Sequence, residues 1–123
     1  MTPSVRAVLF DLDGVLIDSY EAWFRVVNAA ARRFGAPAVS RDRLAEVFGQ
    51  GPEEDARTLY PGRPVSEIQA AYAEAMAEAV ETLVVGADVH QTLDDLGRRG
   101  ILRAVVTNTQ RDVAKHLLEA AGL

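Results

Sequence analysis

The chain has 123 residues, of which 49% are hydrophobic and 25% charged, as expected for one average globular domain. Its formal net charge of −5 gives little electrostatic support to a nucleic-acid partner or an anionic membrane surface. The sequence contains no cysteine, which excludes disulfides and thiolate chemistry, and no apolar run approaches the length of a membrane span. We therefore expect a cytoplasmic protein without nucleic-acid or membrane partners.

The first predicted element is the apolar run at residues 7–10. Consecutive apolar positions without alternation are typical of a strand that is buried inside a parallel sheet. This strand leads into Asp11-Leu12-Asp13-Gly14, where the glycine permits a tight turn. Two carboxylates are thus expected at the carboxyl end of a buried strand.

Residues from about 20 to 84 are predicted to be helical throughout. The first helix of this insertion carries an apolar stripe that includes Trp23, which we interpret as core packing. Asp18 or Ser19 is expected to cap its start, a role favoured over catalysis, and Gly35 is expected to mark its end.

Three further helices complete the predicted insertion. Ser40 opens the second helix, and Ser66 with Gln69 forms a capping box for the last one. The glycine-rich loop at residues 49–52 is open to two interpretations. It is either a plain turn or a loop that contacts substrate.

The last third of the sequence predicts a helix, a second apolar strand at residues 101–106, and a final helix. The strand leads into Thr107 and Asn108, and Thr109 is expected to cap the final helix. A strand, a helix and a second strand form a βαβ unit, interrupted here by the helical insertion. Chemistry in open parallel sheets lies at the carboxyl ends of the strands, where both polar clusters fall.

The polar clusters suit phosphoryl transfer. Asp11 can attack phosphorus, and Asp13 can protonate the leaving group and later activate water. Because two acids repel a phosphate, a cation is needed, and Mg²⁺ favours carboxylate and phosphate oxygens. Gly14 allows backbone N–H groups to approach the phosphoryl oxygens, while Thr107 and Asn108 can donate hydrogen bonds to the phosphate.

Several other polar residues were weighed for a functional role. His90 and His116 lie on amphipathic helices and are expected at the surface. Arg57 and Arg63 could bind a carboxylate or a second phosphate of a substrate, although a solvated face is the favoured interpretation. Lys115 is the only lysine in the chain.

Residues 8–19, with the sequence VLFDLDGVLIDS, resemble the first motif of the haloacid dehalogenase (HAD) superfamily, and residues 105–108, VVTN, resemble the second. The insertion is similar to the helical cap of that family, near the phosphoglycolate phosphatases and β-phosphoglucomutases. The resemblance implies an α/β fold with a Rossmann-like parallel-sheet core. Its expected parts are core residues 1–18, a cap at 19–85, and further core at 86–123.

The resemblance also implies roles for these residues. Asp11 would be the nucleophile and a magnesium ligand, and Asp13 the general acid and base and a second ligand through its backbone carbonyl. Thr107 would bind the phosphoryl group, with Asn108 beside it. Haloacid dehalogenases generally lack the second aspartate, and the insertion has neither the lysine of phosphonate hydrolases nor the histidine and lysine of the mutases. A Mg²⁺-dependent hydrolase of a small phosphorylated metabolite, acting through an aspartyl phosphate, is therefore expected.

The resemblance implies two further elements that this chain lacks: a later lysine and an acidic pair. Lys115 comes too early to match that lysine, although it was considered as a substitute. We therefore expect a truncated chain. The alternative function is a catalytically incomplete fragment that binds phosphate ligands or a partner chain without turnover. Its expected partner is a second copy of itself or a C-terminal complement.

Overall fold

The computed structural model describes residues 4–123, so the part of the predicted core that falls on residues 1–3 lies outside the described residues. Within the described range the chain folds into two strands, six α-helices and one short 3-10 helix. In chain order these are β1 (Ala7–Phe10), α1 (Tyr20–Phe34), α2 (Arg41–Val47), α3 (Pro52–Thr58), α4 (Val65–Ala79), the 3-10 helix Val80–Thr82, α5 (Ala87–Arg98), β2 (Leu102–Val105) and α6 (Arg111–Ala120).

The two strands pair in parallel, with Ala7 opposite Leu102 and Phe10 opposite Val105. The Val106 N–H donates to the Phe10 carbonyl at 2.8 Å, which extends the pairing to the carboxyl end of β2. The predicted α/β organisation, a parallel sheet with a helical insertion after the first strand, is confirmed.

The prediction that the strands are buried on both sides is wrong for one face of the sheet. Leu9 is 67% exposed and Leu102 is 72% exposed. The opposite face carries Phe10 and Val105, which pack against the hydrophobic core. We call the exposed side the open face, and it consists of Ala7, Leu9, Leu102, Ala104 and Val106.

The main core lies in and beneath the insertion, where α1 packs along α4. The loop after β1 contributes Leu12 and Ile17 to this core, so the turn that carries the two aspartates is anchored by buried side chains. Other members with almost no exposed surface are Val26, Ile68, Tyr72 and Met76. Because the loop after β1 and the insertion share one core, the insertion holds this loop in place.

The predicted helix boundaries at Ser40 and Gly35 are confirmed, whereas the capping box predicted at Ser66 is wrong. The Ser40 hydroxyl accepts the Arg43 N–H at 3.1 Å and so caps α2, and Gly35 ends α1 with φ 65°. The capping box of Ser66 and Gln69 does not form, since α4 already begins at Val65 and has no side-chain cap.

The two chain segments that flank the insertion lie side by side. Asp18 N–H donates to the Val84 carbonyl at 2.8 Å, and Val84 N–H donates back to Asp18 at 3.2 Å. The predicted boundaries of the cap, residues 19 and 85, fall next to this bridge and remain a prediction. Across residues 4–123, the helices are too short or too polar to cross a membrane.

Candidate active site

A cavity of about 260 Å³ lies where the carboxyl ends of β1 and β2 meet the insertion. Four of the five predicted site residues line it, namely Asp11, Asp13, Thr107 and Asn108. They come together because β1 and β2 are parallel neighbours, so both strands end at the same edge.

Asp13 is held by three hydrogen-bond donors. Its Oδ1 accepts the Ser19 hydroxyl at 2.5 Å and the Trp23 indole N–H at 2.8 Å. Its Oδ2 accepts the Thr109 hydroxyl at 2.8 Å. The donors come from the start of the insertion, from α1 and from the loop after β2, so both the core and the insertion orient this carboxylate.

Asp11 is exposed and directly follows β1. Its Oδ1 accepts the Leu12 N–H at 2.7 Å, which fixes one carboxylate oxygen beside the turn. Asp11 therefore combines a fixed position with an open approach, as a nucleophile requires.

The Thr107 hydroxyl oxygen accepts the Thr109 N–H at 3.1 Å, so its own proton can be donated to a ligand.

Gly14 does not line the cavity. It has φ 78°, which only glycine adopts without strain, and its N–H donates to the Ile17 carbonyl at 2.9 Å. The glycine thus closes the turn after the two aspartates. Its predicted role in phosphate binding remains a prediction.

The glycine-rich loop at residues 49–52 lines the cavity from the insertion side. Asn108 Nδ2 donates to the Gly49 carbonyl at 2.9 Å, which links the end of β2 to this loop. A second link joins the loop after β2 to α4, from Gln110 Nε2 to the Gln69 carbonyl at 3.1 Å. Of the two interpretations offered by the sequence, the position of this loop favours contact with substrate.

A buried carboxylate in the insertion escaped the sequence analysis. Asp55 is 8% exposed, and its two oxygens accept the Tyr72 hydroxyl and Gln50 Nε2, each at 2.6 Å. Burial raises the pKa of Asp55, while the two donors oppose that rise. Burial also raises the pKa of Tyr60, to about 12, and that of Tyr72 still further.

The sequence did carry a signal for this group. Asp55 lies three residues after Pro52 and four before Leu59, both of which are buried, so it falls on the apolar face of α3. A charged side chain on such a face needs internal partners, and Tyr72 and Gln50 supply them.

Three residues that the sequence assigned to helix caps or to packing donate hydrogen bonds to Asp13. Ser19 is the N-cap residue of α1, yet its side chain makes no capping bond. Gln110, and not Thr109, precedes α6, again without a side-chain cap. Trp23 does pack against Tyr72, with ring centroids 5.5 Å apart, in addition to its bond to Asp13.

The remaining candidates lie outside the cavity lining. His90 and His116 are exposed, as predicted, and Lys115 is exposed on α6. Arg57 pairs with a glutamate one turn away on its own helix, and Arg63 pairs with a glutamate on α4 at 3.6 Å. These surface ion pairs fit the favoured interpretation of a solvated face.

The oxygen atoms at the carboxyl end of β1 are of the kind that Mg²⁺ prefers as ligands. Among residues 4–123, His, Cys, Asp and Glu form no group of three that could hold a metal ion. Magnesium is nevertheless often bound by one or two carboxylates together with waters and substrate phosphate. The exposed Asp11 carboxylate meets that need, whereas the side-chain oxygens of Asp13 are already engaged by Ser19, Trp23 and Thr109.

Residues 8–123 match the family model described as haloacid dehalogenase-like hydrolase. The chain is 31% identical to a phosphoglycolate phosphatase of Pseudomonas putida, over 93% of this chain and 45% of that protein. It is 29% identical to the tyrosine-protein kinase PtkA of Mycobacterium tuberculosis, over 98% of this chain and 42% of that protein. The chain thus spans about half the length of the relatives it matches.

Among solved structures, CbbY from Rhodobacter sphaeroides in complex with phosphate superposes with a TM-score of 0.82. The alignment covers 95% of this chain and 57% of CbbY, at 24% sequence identity. This likeness shows the fold, a Rossmann-like α/β core with a helical cap.

Proposed function

The chain belongs to the haloacid dehalogenase-like hydrolase family, and on that premise we propose that it carries the site of a Mg²⁺-dependent phosphomonoester hydrolase. The observation that supports this most is the meeting of Asp11, Asp13, Thr107 and Asn108 around one cavity. A nucleophilic carboxylate, a separate acid and neutral hydrogen-bond donors are the groups that this chemistry needs. The substrate class is a small phosphorylated metabolite, in a cytoplasmic setting.

In the first step, an oxygen of the Asp11 carboxylate attacks phosphorus. The new Asp11–phosphoryl bond forms while the ester bond to the leaving alcohol breaks, and Asp13 gives the departing oxygen a proton. In the second step, Asp13 takes a proton from water, and the resulting hydroxide attacks phosphorus. Inorganic phosphate leaves, and Asp11 is regenerated.

The donors around Asp13 suggest which oxygen carries this proton. The Trp23 indole N–H can only donate, so Oδ1 of Asp13 must stay an acceptor. The Thr109 hydroxyl on Oδ2 can rotate and accept instead. We therefore assign the exchanging proton to Oδ2, from which the Thr109 hydroxyl can turn away so that a protonated Asp13 faces the leaving oxygen.

Thr107 and Asn108 are assigned to the phosphoryl oxygens. The Thr107 hydroxyl can donate toward the cavity while its oxygen accepts from Thr109, and Asn108 is positioned by its bond to Gly49. The Asp11 carboxylate and the Asp13 backbone carbonyl are the groups that would hold Mg²⁺. When bound, the ion neutralises phosphate charge next to the two acids.

The test is hydrolysis of p-nitrophenyl phosphate by the 123-residue chain, with Mg²⁺ and with a chelator. We expect turnover with Mg²⁺, lost in the chelator and lowered by a factor on the order of a thousand or more in Asp11→Asn. Asp94→Asn, the same exchange at an exposed position of α5, is the matched control and should keep full activity.

Three outcomes would contradict the proposal. Asp11→Asn could keep its activity, the phosphoryl group could pass to an added tyrosine peptide instead of water, or a folded chain could bind phosphate without turnover. The last outcome would support the alternative of a binding fragment.

A further inference from the structure

The insertion contributes an apolar wall to the cavity. Seven of the lining side chains on this side are aliphatic or aromatic: Trp23, Val27, Leu44, Val47, Phe48, Leu59 and Tyr72. They come from α1, α2, α4 and the short connections beside them, and most belong to the buried core. A substrate whose phosphate lies beside Asp11 therefore places its remaining atoms against carbon atoms of the insertion.

Among residues 4–123, every charged side chain that lines this cavity is an acid, namely Asp11, Asp13 and Asp55. The first two lie at the carboxyl end of β1, and Asp55 lies on α3 in the insertion. A phosphate can be balanced by the cation assigned to Asp11. A second anionic group, carried by the rest of the substrate, would instead lie in the same cavity as Asp55.

The surroundings of Asp55 do not turn it into an anion-binding group. Its oxygens take up the donors of Tyr72 and Gln50, so those donors point at the carboxylate. Gln50 Nε2 also donates to the Thr58 hydroxyl at 2.8 Å, which uses its second proton. An anionic group beside this network would be repelled by the Asp55 carboxylate, and the donors of Tyr72 and Gln50 would already be engaged.

We propose that the leaving group of the substrate is a small uncharged alcohol that lays an apolar carbon frame against the insertion, and carries neither a carboxylate nor a second phosphate. The proposal rests on the proposed function, because it concerns the same cavity. The volume of about 260 Å³ is near the lower end of ligand sites, about 300 Å³, which fits a short leaving group. It departs from phosphoglycolate, the compound in the name of the P. putida relative, whose leaving group carries a carboxylate.

The test is a fluorescence titration that needs no turnover. Trp23 is the only tryptophan of the chain, lines the cavity and donates to Asp13, so a bound ligand should change its emission. With Mg²⁺ held constant, the Asp13→Asn variant, which cannot protonate the leaving alcohol and so leaves both esters intact, is titrated with inorganic phosphate, 2-hydroxyethyl phosphate and 2-phosphoglycolate. The two esters share a two-carbon frame and differ in a hydroxyl against a carboxylate. We expect 2-hydroxyethyl phosphate to bind about tenfold more tightly.

The addition of a positive charge to the cavity tests the cause of this preference. Gln50→Lys puts a cation beside Asp55 at a half-buried position, and we expect it to remove or invert the preference for the uncharged ester. Gln91→Lys makes the same exchange at an exposed position of α5 and should leave the preference unchanged.

The outcomes separate the two proposals. If phosphate binds and 2-phosphoglycolate binds as tightly as 2-hydroxyethyl phosphate, or more tightly, this inference is overturned while the proposed function stands. If the two lysine variants behave alike, the assignment of the preference to the charge at Asp55 is overturned. If neither phosphate nor either ester changes the emission, the proposed function fails, and this inference fails with it.

Discussion

Asp13 depends on neighbours that are distant in sequence. The motif at residues 11–14 predicts a pair of acids, and the structure adds Ser19, Trp23 and Thr109 as donors to the second acid. Sequence patterns assigned the two hydroxyl residues to helix caps because their spacing fits that role. A tertiary partner outcompetes the local one here, and one-dimensional spacing does not reveal such a partner.

Trp23→Phe should impair proton donation by Asp13 to the leaving group without leaving a large cavity in the core. The variant keeps an aromatic ring against Tyr72 and loses the donor to Asp13 Oδ1, at a cost of about 1 kcal/mol of stability. We expect kcat/KM for an alkyl phosphate, which needs a proton on its leaving group, to fall about tenfold. The value of kcat/KM for p-nitrophenyl phosphate should hardly change, because p-nitrophenolate leaves without a proton. Equal losses for the two esters would contradict a positioning role for Trp23.

Asp55 should make the stability of the chain depend on pH in an unusual direction. Burial raises the pKa of Asp55 above the ordinary 3.8, so the folded chain keeps this proton to a higher pH than the unfolded chain. The contribution of Asp55 to the free energy of unfolding is therefore greatest below 3.8 and is lost as the pH rises through the raised pKa.

Urea unfolding of the natural chain and of Asp55→Asn, from acid to neutral pH, measures this effect. The free energy of unfolding of the natural chain minus that of the variant should fall as the pH rises. A difference that does not change with pH would show that Asp55 titrates alike in both states.

At the scale of elements, most of the fold follows from the sequence. Apolar runs at residues 7–10 and 101–106 predict both strands, and helical periodicity predicts the insertion. The capping box at Ser66 fails because α4 already begins at Val65, with Pro64 as its N-cap residue, so Ser66 lies inside the first turn of the helix. The convergence of the loop at residues 49–52 on Asn108 is a tertiary contact that periodicity does not contain.

Gly49→Ala should destabilise the loop that lines the cavity. Gly49 has φ 87°, and although a Cβ would meet no atom within 4 Å, the backbone conformation is unfavourable for alanine. We expect a loss of about 1 kcal/mol in urea unfolding. Gly97→Ala is the control, since Gly97 lies within α5, where alanine is the better helix former and the atom nearest to an added Cβ belongs to the flexible Arg103 side chain, at 3.3 Å. Equal losses in the two variants would contradict the conformational explanation.

At the scale of the whole molecule, the open face is the feature that the sequence misjudged. Apolar runs predicted strands covered on both sides, and within residues 4–123 helices cover only the side of Phe10 and Val105. An apolar run indicates which side chains are expected to be buried, but it does not indicate which part of the protein or which partner covers them. The expected partner, a second copy or a C-terminal complement, remains a proposal for this face.

Leu102→Lys should reduce self-association. Contiguous apolar surface in water favours contacts between copies, and a charge on the open face opposes them. Sedimentation velocity over a range of concentrations should show association of the natural chain and less of it in the variant. Val15→Lys places the same charge on an exposed apolar residue outside the sheet and should leave association unchanged. A natural chain that stays monomeric would contradict this prediction.

The central claim is that Asp11 forms a covalent phosphoryl intermediate, and one measurement addresses it directly. Asp13→Asn is mixed with p-nitrophenyl phosphate and Mg²⁺, then quenched in acid for peptide mass analysis. Because p-nitrophenolate leaves without a proton while water needs a base, the intermediate should form and accumulate. We expect a burst of about one nitrophenolate per chain and a phosphoryl adduct on the peptide that contains Asp11. A burst with the adduct on another residue, or no burst from a folded chain, would contradict it.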